Sequence, residues 1–104
     1  MTNENERKEI EKLEGTGSIT VDGFYGNDGA FGRSYLLFSG DHVFSINGYA
    51  ARQFAEKEFE LLGKTFTLKY TTKHSKKYNK DYIVLTGITV LEDRTTLKIE
   101  YESE

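Results

Sequence analysis

At 104 residues the chain has room for one domain with a small core, and seven Phe and seven Tyr supply much of its apolar bulk. It has no cysteine, which excludes a disulfide framework and thiolate metal ligation, and two histidines among scattered acids predict neither a metal nor another cofactor. No apolar run of about 18 residues is present, which excludes a membrane-spanning helix, and the polar N-terminus predicts no signal peptide and a cytoplasmic protein.

The net charge is −3, which taken alone argues against a polyanionic partner. Its distribution argues differently. Residues 1–14 carry five acids and three bases, residues 91–104 five acids and two bases, and residues 15–90 nine bases and seven acids. The acidity lies at the two ends, and local field rather than net charge steers a charged ligand.

Residues 1–14 read as a polar tail or as a short helix whose charged residues pair along its length. Gly15-Thr16-Gly17 breaks the pattern. A first strand follows from Ser18 to Tyr25, with Ile19 and Val21 alternating against Thr20 and Asp22, and Gly23 predicts a bend. Residues 26–33 read as a flexible glycine-rich loop that carries Phe31 and Arg33. Its glycines lack the spacing of a phosphate loop.

Ser34–Phe38 and His42–Asn47 form a hairpin about Ser39-Gly40-Asp41. If Phe38 faces Val43, then Leu37 faces Phe44 and Tyr35 faces Ile46, and that side is the more apolar and faces the core. Leu36, Phe38 and Val43 then share the other side, either partly in water or covered by a helix or a partner chain. Residues 49–62 predict one amphipathic helix. Ala51, Phe54, Ala55, Phe59 and Leu62 lie on its apolar side, Arg52, Gln53, Glu56, Lys57 and Glu60 on its polar side, and Gly63 is its stop.

The stretch Lys64–Leu91 organises the rest. Phe66, Leu68 and Tyr70 alternate with Thr65, Thr67, Lys69 and Thr71 as in a half-buried strand, and Tyr82–Leu91 is rich in β-branched and aromatic residues. The loop between them spans 73–81. Between positions 69 and 80 stand Lys69, Lys73, Lys76, Lys77 and Lys80 and no acid, with Tyr78 among them. Such a tip is either a solvated hairpin end or an arm for a polyanion with stackable rings. Glu92–Thr95 turns the chain into a last short strand, Thr96–Tyr101.

The expected fold is mainly β with one helix, a five-stranded OB-fold barrel whose helix lies between its third and fourth strands, and residues 15–104 form that single domain. In such a barrel the loops 26–33 and 73–81 flank one ligand cleft, together with the face of the second and third strands. The element order, the segment Gly48–Tyr70 and the basic hairpin together resemble the small single-stranded DNA-binding proteins of bacteria and their phages. The likeness covers about residues 17–91, and the short phage-type members are the nearer match.

That resemblance implies a non-catalytic protein that coats unpaired strands during replication or recombination. Phe31, Phe38, Tyr78 and also Tyr25 and Tyr82 would stack on bases. Arg33, Lys69, Lys73, Lys76, Lys77 and Lys80 would neutralise phosphates. The expected partners are single-stranded DNA or RNA, with a second copy of the chain or a replication protein besides. The alternative is a protein-interaction module of the same fold, an adaptor or inhibitor that pairs through the Leu36, Phe38 and Val43 face or the edge near 96–101. Catalysis is not expected. His42 and His74 have no nucleophile in a recognisable setting, and the spacing of Asp22, Asp28 and Asp41 calls for no carboxylate site.

Overall fold

The computed structural model describes residues 9–30 and 32–101. The fold is mainly β. The strands are β1 (Ile10–Lys12), β2 (Gly17–Val21), β3 (Gly23–Gly29), β4 (Gly32–Ser39), β5 (His42–Ile46), β6 (Phe66–Ser75), β7 (Lys80–Val90) and β8 (Thr96–Leu97). Helices α1 (Gly48–Ala55) and α2 (Glu58–Leu61) stand between β5 and β6. The described strands form two four-stranded sheets, not one closed five-stranded barrel. The first has the order β1-β5-β4-β3 and the second the order β2-β6-β7-β8. No helix among the described residues is long and apolar enough to cross a membrane.

The two sheets share one continuous stretch of chain. β2 pairs antiparallel with β6, the chain bends at Asp22, and β3 pairs antiparallel with β4. The bend sits beside Gly23, where the sequence predicts one. β1 lies parallel to β5, with Ile10 opposite Val43. Positions 10–12 are therefore strand, not tail or helix, and residues 1–8 of that stretch lie outside the described residues.

The hairpin β4–β5 has the predicted register, with Tyr35 opposite Ile46, Leu37 opposite Phe44 and Phe38 opposite Val43. Tyr35, Leu37 and Ile46 are buried, as the alternation requires. The core continues through Val21, Phe54, Leu61, Phe66, Leu68, Leu85 and Ile88. Its centre is aromatic. The Phe54 ring lies 5.0 Å from Phe24 and 4.7 Å from Tyr35, both edge to face, and 5.9 Å from Phe66. Truncating one such fully buried ring to Ala costs about 3–5 kcal/mol.

The single helix expected over 49–62 is two helices, because the α-helical path stops at Glu56–Lys57. Lys57 donates its backbone N–H to the Phe54 carbonyl at 2.9 Å, and Glu60 donates to the Lys57 carbonyl at 3.0 Å. These bonds to the third residue back tighten the turn and reset the angular phase. Leu61 then faces the core, while Phe59 is 87% and Leu62 53% exposed. Gln53, expected on the wet side, is buried. Its Oε1 accepts the Leu85 N–H at 2.8 Å, and its Nε2 donates to the carbonyls of Leu85 at 3.1 Å and Glu100 at 2.9 Å. One amide thus satisfies the edge of β7 where no strand pairs with it.

Both predicted loops are shorter than expected. Pairing in β3–β4 continues through Asp28 opposite Arg33 and Gly29 opposite Gly32. Pairing in β6–β7 continues through Lys73 opposite Tyr82, His74 opposite Asp81 and Ser75 opposite Lys80, after an irregularity at Lys69/Tyr70. Lys73 and Lys80 are therefore strand residues, and residues 76–79 make the turn. Asn79 carries a left-handed φ of 51°, a conformation Asn tolerates better than most residues. The expected strand over 96–101 pairs only at Thr96 and Leu97.

Candidate functional site

A cleft of about 1000 Å³ opens where the end of β5 and the start of α1 meet the tip of the β6–β7 hairpin. The start of β4 contributes Gly32 and Arg33 to its lining, and the hairpin contributes Ser75, Tyr78, Lys80 and Tyr82. Tyr49 and Arg52 of α1 and Lys12 of β1 line it too. The start of β4 and the basic hairpin tip, 42 positions apart in sequence from Arg33 to Ser75, thus border one space. Asp81 is the one acidic residue among the described lining residues.

The β6–β7 hairpin is cationic and wet. Lys69, Lys73, Lys76, Lys77 and Lys80 are exposed, and none of them pairs with a carboxylate among the described residues. Tyr78 is 65% exposed, with the Lys77 ammonium 5.3 Å from its ring centre and its backbone N–H donated to Ser75 Oγ at 3.2 Å. His74 and Asp81 bridge the two strands behind the tip at 2.8 Å.

Two further rings, Tyr49 and Tyr82, line the cleft. Tyr49 meets Tyr82 edge to face at 6.0 Å and Tyr101 at 6.1 Å, and the Tyr82 and Tyr101 hydroxyls lie 3.3 Å apart. Arg52 stands 5.4 Å from the Tyr49 ring centre, and Lys73 5.7 Å from that of Tyr101. Tyr82, a weaker candidate from sequence, is thus a cleft residue. Tyr49 and Arg52 escape sequence reasoning because their helix reads only as scaffold, and Lys12 because its stretch reads as a tail or a short helix. The one local signal is Tyr49 followed three positions later by Arg52 in a helix.

Arg33 is committed elsewhere. It donates through Nη1 to Asp28 at 2.9 Å, through Nε to the Tyr35 hydroxyl at 2.8 Å and through Nη2 to Glu58 at 3.5 Å. The Tyr35 hydroxyl donates in turn to Glu58 at 2.7 Å. Asp28, and after it Tyr35, hold the guanidinium proton far above the ordinary arginine range. Burial, and after it the Glu58 carboxylate, push the Tyr35 phenol above its ordinary 10.0. Gly26 makes the crossing possible, since a Cβ there would run into the guanidinium and lie 2.9 Å from the Tyr35 ring. The network fastens the β3–β4 hairpin to α2. With two carboxylates on it, Arg33 has little charge left for a phosphate.

The other sequence candidates are dispersed. Phe31 lies outside the described residues. Lys69 and Lys73 share one side of β6, and Lys69 stands well down the strand beside Ser18 of β2. Phe38 and Tyr25 lie on the outer face of the first sheet, on no wall of the cleft. Among the described residues no group of three or more His, Cys, Asp or Glu side chains is placed to hold a metal ion. The chain matches no protein-family model, no curated protein and no solved structure.

Proposed function

We propose that the chain binds single-stranded nucleic acid, DNA before RNA, and coats unpaired strands as the small phage-type binding proteins do. The observation that carries this reading is the shared cleft, bordered by the start of β4 on one side and the lysine-bearing hairpin tip on the other. Lys76, Lys77 and Lys80 at the tip, with Lys73 behind it and Lys12 and Arg52 across the cleft, would neutralise phosphates and release counterions. Tyr78, Tyr82 and Tyr49 would receive bases, at about 1–3 kcal/mol for each stacked ring. Arg33 ties the β3–β4 hairpin to α2 instead of touching the strand.

The strand order fits a partly open OB-like reading. β2 and β3 taken together act as one bent first strand, followed by the hairpin β4–β5, the helices and the hairpin β6–β7. β1 and β8 are additions at the sheet edges. The seam that β1 leaves beside β7 is where the cleft opens.

The test is a titration with oligo-dT of graded length, followed by fluorescence or mobility shift at low and high salt. Tight binding that weakens steeply with salt is the expected result. Absence of binding at low salt would remove nucleic acid as the ligand.

A further inference from the structure

Beyond β8 the chain stays tied to the body although strand pairing stops. Leu97 sits opposite Ile88, and Leu97 and Ile99 both pack against the core. The Glu100 carbonyl then accepts a hydrogen bond from Nε2 of Gln53 at 2.9 Å, and Gln53 is buried and bonded to Leu85. The residues before it thus deliver position 101 to one place.

The ring that stands there has partners on three elements. Tyr101 meets Tyr49 of α1 edge to face at 6.1 Å. Its hydroxyl lies 3.3 Å from that of Tyr82 on β7. The Lys73 ammonium of β6 stands 5.7 Å from its ring centre, and Lys73 is the cross-strand neighbour of Tyr82. Tyr49 and Tyr82 line the cleft, whereas Tyr101 is not among the described lining residues.

We propose that Tyr101 is a positioning residue for the cleft, holding the Tyr49 and Tyr82 rings where bases would stack on them. This role rests on the nucleic-acid reading of the cleft and adds to it a residue that does not touch the strand. A base that stacks on a side chain must fix it, and fixing a mobile side chain costs conformational entropy. A ring already held by a neighbour loses less, so the same stack binds more tightly. The edge-to-face contact sets the angle of Tyr49, and the hydroxyl contact does the same for Tyr82. The Lys73 ammonium draws Tyr101 toward the β6–β7 hairpin.

Oligo-dT titrations at several salt concentrations test it, on the unaltered chain, Tyr101→Phe, Tyr101→Ala, Tyr82→Ala and the double variant of the last two. Tyr101→Ala should lose about tenfold in affinity with the slope of log affinity against log salt unchanged, since no phosphate contact is removed. Tyr101→Phe keeps the ring and should recover most of that loss. In the Tyr82→Ala background, Tyr101→Ala should cost clearly less, because one of the rings it acts through is gone. Tyr101 is 39% exposed and follows the last strand, so its variants should stay folded, as circular dichroism would check. If Tyr101→Ala unfolds, Tyr101→Leu keeps the apolar bulk and carries the same expectation. Unchanged or tighter binding, a slope lowered by about 0.7, or fully additive losses in the double variant overturn the proposal and leave the nucleic-acid reading standing. Absence of binding by the unaltered chain overturns both.

Discussion

The hairpin tip and the outer face of the first sheet both present exposed rings, yet their surroundings differ. Tyr78 stands among lysines at the mouth of a cleft. Tyr25 and Phe38 stand among uncharged neighbours, with Asp22 and Asp41 at the rim. The same kind of ring therefore sits in two different surroundings. A ring beside free ammonium groups suits a base whose phosphate needs neutralising. A ring on an uncharged sheet suits another apolar surface. The difference teaches that an exposed aromatic carries little functional information until the charges around it are known.

The sharpest way to break this contrast is to strip the tip. Replacing Lys76, Lys77 and Lys80 together by Ala should reduce the slope of log affinity against log salt by about 2, since each single-strand phosphate contact contributes about 0.7. At 0.1 M salt that slope change alone amounts to a loss of about a hundredfold. Titrations of oligo-dT at several salt concentrations measure it, and an unchanged slope takes these lysines off the contact surface. Tyr78→Ala should follow, weakening the complex by about 1–3 kcal/mol while leaving the melting temperature in place, because the ring is mostly in water. A fall in thermal stability instead would make Tyr78 a packing residue.

Two smaller effects separate the Arg33 network from the binding surface. Tyr35→Phe removes the hydroxyl that joins Arg33 to Glu58 and should cost about 1 kcal/mol at neutral pH in denaturant unfolding. The phenol is held above its ordinary 10.0 in the folded chain, so above that pH the unfolded chain loses its proton first. Stability should then fall as pH rises through the alkaline range, and Tyr35→Phe should flatten that fall. A fall of equal size in the variant would place the titration elsewhere. Smallest of all, Arg33→Gln should leave the salt slope for oligo-dT unchanged, although it loosens the tie between the β3–β4 hairpin and α2. A drop of about 0.7 would instead count Arg33 among the phosphate contacts.

Local pattern made much of this fold legible. The β4–β5 register follows from alternation and a tight turn, so Tyr35, Leu37 and Ile46 could be placed inward from sequence. The phase of the helical segment could not. Phe59 and Leu62 fit an unbroken apolar stripe, but the break at Lys57 rotates Leu61 inward in their place, and nothing in the residues around Glu56 marks that break. The parallel strand β1 was hidden because Ile10 and Leu13 alone are too sparse a pattern to signal one. The cleft was half legible. Tyr78 and Lys80 sit together in sequence, whereas Tyr49, Arg52 and Lys12 reach it from distant elements and only the assembled sheets bring them in. Arg33 shows the limit in the other direction. Its position in a glycine-rich turn suggested a free cation, but Asp28 and Glu58 had already claimed it.

Gln53 has a consequence for the life of the chain in a crowded solution. Open strand edges are templates on which foreign chains can assemble into fibrils. By holding both the N–H and the carbonyl of Leu85, one amide blocks growth of the second sheet at its longest strand. That stretch of the β7 edge is thus closed to foreign strands.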